Sequence, residues 1–338
     1  MKAAVFKEAG QPLVIEEVSE PSSGDADLIL QVHCCGICGT DLHSSAVPGG
    51  LPAGCVMGHE FAGTVVEAGK EASRDFSVGD RVTSVPTRAC GRCVHCLSGD
   101  VMLCEQSSIL GLGKEAGAFA EYVRVGSNEA VALPDAVDWN MGALVEPLSV
   151  GLHAVRVAGI RPGQNVLVLG GGPIGLAVSI WLRFFGARSV VVSEPAPGRR
   201  DRAQQLGATA ALSGGEGLAE DFRDHVGAPP DVIFECVGLP GLLGTCIDLA
   251  APRSKVIVAG VCMAMDSIFP AAAVVKELVL QFVLAYHKDD FSFAIDMLAS
   301  GRIDPLPMVT DRVSLEGLPV AFEALRRPTT ECKVLVEI

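Results

Sequence analysis

The chain has 338 residues, too many for one ordinary compact domain and about right for two. Apolar residues make up 49%, glycine is abundant and aromatics are scarce at 5%, which favours a turn-rich α/β protein over an aromatic-packed all-β one. Lys and Arg number 26 against 40 Asp and Glu, a net charge of −14, and a surface that acidic repels phosphate backbones and excludes a general nucleic-acid binder.

The start, Met1 to Phe6, reads as a short strand, with neither the basic region nor the long apolar run of a signal peptide. The nearest approach to a membrane span, around Ala271 to Leu284, is broken by Lys276 and Glu277. The expectation is a soluble cytoplasmic protein with no membrane or nucleic-acid partner. Twelve cysteines in a reducing compartment then point to metal or catalysis before disulfides. Short apolar or alternating runs (Leu28–Cys34, Ala62–Glu67, Arg81–Val85, Phe119–Val125) predict a β-rich first portion. Asp138–Ala158 reads as a long helix. From Asn165 strands and helices alternate. The strands are Asn165–Leu169, Ser189–Ser193, Asp231–Glu235 and Lys255–Gly260. The helices are Ile174–Phe185 and Arg199–Leu206, with further helical stretches between. That alternation marks right-handed βαβ units and a parallel sheet. After about Tyr286 the pattern changes to a helix (Phe291–Ala299), a strand (Met308–Val313), a helix (Leu318–Leu325) and a last strand (Lys333–Val336).

Cys90, Cys93, Cys96 and Cys104 lie in C-x2-C-x2-C-x7-C spacing. Thiolates two residues apart converge on one metal across a tight turn, and four of them close a tetrahedral shell of a structural kind. His95, inside the run, is surplus to that shell. Disulfides, or a nucleic-acid-binding zinc ribbon, are the competing readings. A second, open set is more scattered: Cys38, Asp41 and His43 in Gly36–His43, then His59 and Glu60, then Glu146 in the long helix. Cys38, His59 and one or two carboxylates would make a mixed sulfur, nitrogen and oxygen site with a position left for water or substrate. Cys34, Cys35 and Cys55 read as buried small side chains.

Gly170, Gly172 and Gly175 form G-x-G-x-x-G between a strand and a helix, the context that gives the motif its meaning. The glycines let the backbone approach a pyrophosphate, which meets the helix N-terminus. Glu194 ends the next strand, where a carboxylate accepts ribose hydroxyls and repels a 2′-phosphate, favouring NAD. Arg199 and Arg200, just beyond, pull the other way. The cofactor-binding candidates are Gly170, Gly172, Pro173, Ile174, Gly175, Glu194, Arg199, Val237 and Val261.

With GICGTDLH (36–43), GHEFAGTVVEAG (58–69), the four-cysteine run, LVEPLSVGLHA (144–154) and VLVLGGGPIGL (166–176) in this order, the chain resembles the zinc-containing medium-chain alcohol dehydrogenases over essentially its whole length. It is most similar to their polyol branch of sorbitol, threonine and 2,3-butanediol dehydrogenases. The resemblance implies a GroES-like β-rich catalytic domain (1–148 and 288–338, with a structural zinc lobe at 88–106). It also implies a Rossmann doubly wound parallel-sheet domain binding NAD(H) (149–287). It implies two Zn²⁺ per chain: a structural ion on the four cysteines and a catalytic one on Cys38, His59, Glu60 and Glu146. Asp41 would steady the His59 ring. Glu146 stands where the classical alcohol dehydrogenases carry a cysteine. Thr40 and His43 resemble a proton relay that runs by way of the nicotinamide ribose. The implied reaction is reversible hydride transfer between a small secondary alcohol, diol or polyol and NAD. A threonine-type or cyclic-alcohol dehydrogenase is the near alternative. A quinone or enoyl reductase on the same fold, and a zinc-stabilised NAD-binding scaffold without turnover, are the distant ones. The relatives imply a homo-oligomer, a tetramer ahead of a dimer, and Val279–Tyr286 is either an interface strand or core.

Overall fold

The computed structural model describes residues 1–327 and 330–338. They fall into two compact units. The first comprises Met1–Glu146, His287–Arg302 and Val309–Ile338; the second comprises Pro147–Tyr286 and Ile303–Met308.

In the first unit a seven-stranded sheet runs in the order Val309–Ser314, Lys333–Glu337, Asp27–Gly36, Glu60–Ala68, Arg81–Ser84, Ala130–Ala132, and Tyr122–Gly126 pairs along the start of Asp27–Gly36. The alternation seen in the sequence has a clear cause. Leu28, Leu30 and Val32 point to one face and join Phe61, Val65, Val82, Val123 and Val125 in the largest core of this unit. Strand Asp27–Gly36 is also buried at Ile29 and Cys34, because it lies in the middle of the sheet. The last strand, Lys333–Glu337, pairs antiparallel with it, setting Leu335 opposite Gly36. Thus the C-terminal segment builds the same sheet as the N-terminal one. A short helix, Gly39–Ala46, leaves the end of Asp27–Gly36 with Cys38 as its N-cap.

The second unit holds a six-stranded parallel sheet in the order Ala210–Leu212, Ser189–Ser193, Asn165–Leu169, Val232–Glu235, Lys255–Val258, Val279–Phe282. This is the doubly wound order with the glycine turn following the first strand. Strands covered on both faces read as unbroken apolar runs, and Asn165–Leu169 is buried throughout. The helix after the glycine turn spans Pro173–Phe184. Proline stands at its first position, where the missing N–H costs nothing. It packs closely on Gly151: a Cβ there would lie 2.7 Å from that of Ala177. Trp181, fully buried, donates its indole N–H to the Leu148 carbonyl at 2.8 Å.

The structure adds to the sequence reading at two strands. Ala210–Leu212 is too short to show alternation, and Val279–Phe282 lies in the apolar run 271–284, which divides into helix Pro270–Val275 and that strand. Val279–Phe282 is the sheet's edge, with Phe282 63% exposed and Leu280 packed against the core. Among the described residues no helix is long and apolar enough to cross a membrane.

Candidate active site

Three strand ends of the first unit meet at one end of its sheet. Gly36 closes Asp27–Gly36, Glu60 opens Glu60–Ala68 directly opposite it, and Lys333 opens the strand on the other side. The sequence on each side of these ends carries the chemistry. Cys38 follows Gly36, and His59 precedes Glu60.

Cys38 and Asp41 form a reciprocal cap on helix Gly39–Ala46. The Cys38 sulfur accepts the Thr40 N–H at 3.4 Å, and the Asp41 carboxylate accepts the Cys38 N–H at 3.0 Å. This turn fixes the sulfur and brings Asp41, fully buried, to His59: Oδ1 lies 3.2 Å from Nδ1. Neither of those two atoms makes a well-aligned hydrogen bond. Burial alone would depress the His59 pKa, but the Asp41 carboxylate and then the adjacent Cys38 sulfur outweigh it and hold it well above the usual histidine range. A buried imidazole with Nδ1 on a carboxylate and a cysteine sulfur beside it leaves Nε2 as the nitrogen that could meet a metal. The donors fit a zinc ion. Thr40, in the first turn of the same short helix, and His43, in its last, both sit exposed. Glu146 is buried, inside helix Trp139–Ala158 and next to Pro147.

Glu60, next to His59, makes a pairing of its own. Its carboxylate is turned onto Lys333, whose Nζ donates to both oxygens at 2.6 Å and to the Ile37 carbonyl at 3.1 Å. Both side chains are 1% exposed. Lys333 is the residue that sequence reading missed. Burial disfavours its charge, yet Glu60, Cys38 and Glu146 together raise its pKa. The available signal was a lysine at the head of the otherwise apolar alternation CKVLV, on a strand whose first four positions are all buried.

The four-cysteine run folds around the short helix Val94–Leu97, capped by the Cys93 sulfur on the Cys96 N–H at 3.5 Å. Its sulfurs all lie within 4.8 Å of one another, with Cys93 and Cys96 3.5 Å and Cys90 and Cys96 3.9 Å apart. A zinc tetrahedron with bonds of about 2.3 Å has edges of about 3.8 Å, so the thiols fit that ion. Backbone N–H groups pull the Cys90 thiol down to about 6, while desolvation and the Cys93 sulfur push Cys96 up to about 12. Among the described residues this is the one acidic or thiol group already gathered closely enough to share an ion. The twelve cysteines are all free thiols, and Cys34, Cys35 and Cys55 are buried.

In the second unit Gly170 takes φ +101°, a conformation open to glycine, and a Cβ there would strike Val237 at 2.7 Å. Glu194, buried, braces the turn: one oxygen accepts the Gly171 N–H and the other the Ala196 N–H, both at 2.9 Å. Each oxygen keeps a lone pair for a ribose hydroxyl. Arg200 donates to the Glu194 and Pro195 carbonyls. Val237 and Val261 lie just beyond strands Val232–Glu235 and Lys255–Val258, both exposed. These are the carboxyl ends of the parallel strands, where such sheets take ligands.

Residues 24–135 match the alcohol dehydrogenase GroES-like domain and residues 173–300 the zinc-binding dehydrogenase family. The chain is 33% identical to (R,R)-butanediol dehydrogenase of Bacillus subtilis, covering 99% of each chain. It is 31% identical to L-threonine 3-dehydrogenase of Streptomyces coelicolor, covering 95% of each. Among solved structures it resembles a zinc-binding dehydrogenase from Sinorhizobium meliloti bound to NADP, with TM-score 0.89 and 34% identity over 100% of this chain and 99% of that one. With these likenesses running end to end, the chain belongs to the zinc-dependent medium-chain alcohol dehydrogenases, in their polyol-type branch, and is an oxidoreductase using zinc and a nicotinamide cofactor.

Proposed function

We propose that this chain oxidises a small secondary alcohol, diol or polyol to the ketone, reversibly, with NAD as hydride acceptor and two zinc ions per chain. The observation that carries it is the Asp41–His59–Cys38 arrangement, a buried nitrogen donor steadied by a carboxylate beside a sulfur donor. Cys38, His59 and Glu146 would hold the catalytic ion; Cys90, Cys93, Cys96 and Cys104 the structural one. Glu60 belongs to the candidate donors as well, and its ion pair with Lys333 supports a reading in which it stands back from the resting ion. The catalytic ion, when bound, supplies Lewis-acid stabilisation of the alcohol oxygen. The nicotinamide supplies the hydride site.

The chain's own residues do the rest. Asp41 holds the His59 ring so that Nε2 keeps one direction. Cys38 has its sulfur fixed by the cap on helix Gly39–Ala46. Thr40 would accept the substrate hydroxyl proton at Oγ1 as it gives up its own hydroxyl proton toward His43, whose ring would take up one proton and release one to solvent. Both side chains are exposed, as proton exchange with water requires. The first unit is then the catalytic domain and the second the cofactor domain.

Glu194 supports NAD over NADP, because its carboxylate sits at the turn and Arg200 is engaged by main-chain carbonyls. Val237 and Val261 would contact the cofactor, and the Arg199 side chain would lie at its rim. A threonine-type or cyclic-alcohol substrate is the alternative on the same machinery. The chain works in the cytoplasm as a homo-oligomer, a tetramer ahead of a dimer. Exposed Met263, Met265, Phe269, Val275 and Phe282 near the edge strand Val279–Phe282 support self-association.

A panel of secondary alcohols, vicinal diols, sugar alcohols, cyclic alcohols and threonine, assayed with NAD and NADP, tests the reading. It expects the highest kcat/KM with a small diol or secondary alcohol and NAD. Preference for a primary alcohol, or for NADP, overturns the corresponding half.

A further inference from the structure

Helix Gly39–Ala46 carries both Thr40 and His43, and its eight residues are too few to hold a helix by themselves. Its first turn is tied down by the Cys38–Asp41 cap. Its last turn is held from a segment distant in sequence. Arg326, just past the end of helix Leu318–Ala324, reaches it with both arms of its guanidinium. Nη1 donates to the Leu42 carbonyl at 2.9 Å and Nη2 to the Ser45 hydroxyl at 3.0 Å. Ser45 is buried, and its hydroxyl donates to that same Leu42 carbonyl at 3.1 Å. The guanidinium is itself held. Its Nε donates to the Glu323 carboxylate at 2.9 Å, and its central carbon lies 5.4 Å from the centre of the Phe322 ring. Phe322 is fully buried in the main core of the first unit, and Leu42 packs against that core. The fork therefore runs from a fixed base to a fixed carbonyl.

The peptide that Arg326 grips is the one joining Leu42 to His43. Holding the plane of that peptide holds the direction in which the exposed His43 side chain leaves the helix. A cation against the last turn also suits the helix dipole. A lysine has no planar fork, so one ammonium cannot serve Glu323, Leu42 and Ser45 in the same way. We infer that Arg326 is a positioning residue for proton transfer: it fixes the last turn of helix Gly39–Ala46 so that His43 keeps its place behind Thr40. This rests on the proposed Thr40–His43 relay. Arg326 acts through the helix backbone, and its loss should be felt in the proton step rather than in metal or cofactor binding.

Chemical rescue separates proton transfer from stability, because a diffusible base replaces a misplaced one and does nothing for a loosened fold. The alcohol favoured in the substrate panel is oxidised by the full chain at saturating NAD, with and without imidazole in the buffer. Arg326→Met is expected to lower kcat by roughly ten-fold and to recover most of that loss in imidazole. Its zinc content and its affinity for NADH are expected to stay as they were. Arg326→Lys is expected to show a smaller loss of the same kind. His43→Ala is expected to be slowed and rescued likewise, and adding Arg326→Met to it to slow the chain no further, since residues that act through one another are not additive. An unchanged kcat in Arg326→Met overturns the inference. So does a loss that imidazole leaves in place, or one that adds in full to that of His43→Ala. If Arg326→Met does not fold, Arg326→Lys decides by the same readings. If His43→Ala is neither slowed nor helped by imidazole, the relay itself has failed, and the inference falls with it.

Discussion

Asp41 acts on the site without needing to touch a metal. Its carboxylate is shared between the Cys38 N–H and the His59 ring, so one residue orients both the sulfur and the nitrogen donor. Asp41→Asn keeps the shape and removes the charge. The expected result is a roughly 10- to 100-fold weaker hold on the proposed catalytic zinc, measured by competition with a chelator, with the proposed structural ion unaffected. Glu194 would work in the same double way, bracing the glycine turn and, in the proposed reading, meeting the cofactor ribose. Glu194→Gly is expected to lower kcat/KM with NAD and to move its ratio over NADP toward NADP; an unmoved ratio removes Glu194 from the ribose. His33 gives a prediction of a different kind. Burial, then Arg81, lower its pKa below 6.5, so the folded chain resists its protonation. A depressed folded pKa means stability present above 6.5 and lost as pH falls through the folded value. Thermal midpoints measured on either side of 6.5 should converge in His33→Gln more than in the unaltered chain.

Helix packing carries the predictions at the next scale. Gly151 lets helix Trp139–Ala158 lie against Ala177 of helix Pro173–Phe184. Gly151→Val forces a branched side chain into that contact and is expected to cost about 1–3 kcal/mol, read as a lowered thermal midpoint. The lysine at the head of strand Lys333–Glu337 is a harsher case. Breaking a fully buried ion pair from one side costs about 3–5 kcal/mol, which Lys333→Met should show and Lys333→Arg should largely avoid. These elements also show what sequence pattern could reveal. Strand Asn165–Leu169 and helix Pro173–Phe184 are long, apolar and bounded by glycines, so their kind and place were plain, with ends off by one residue at most. The thiols of Cys90, Cys93 and Cys96 were equally plain, because two-residue spacing on one turn dictates their convergence, and Cys104 follows closely enough to join them. Lys333 was not, since its partner Glu60 lies far off in sequence and the two meet by strand pairing, which leaves no local periodicity. For the same reason the sequence showed Glu60 only beside its neighbour His59 and gave no sign of its ion pair with Lys333.

Across the whole molecule, composition and motif order were enough to announce two units and their chemistry, but not where the chain crosses between them. Ile303–Met308 clusters with the second unit while the segments on either side cluster with the first. No apolar signal marks so short an excursion. Nor does composition separate a self-association surface from a core. The run 271–284 is apolar enough for either, and only its place at a sheet edge shows it exposed. If the chain self-associates as proposed, Phe282→Glu is expected to reduce the mass measured by light scattering, without loss of fold. The most direct test of the account is to follow zinc content and NAD-dependent alcohol oxidation together during chelation. The account predicts about two zinc ions per chain, one leaving readily and taking the activity with it, and activity returning when zinc is restored. Turnover that persists in a chain stripped of all zinc would contradict it.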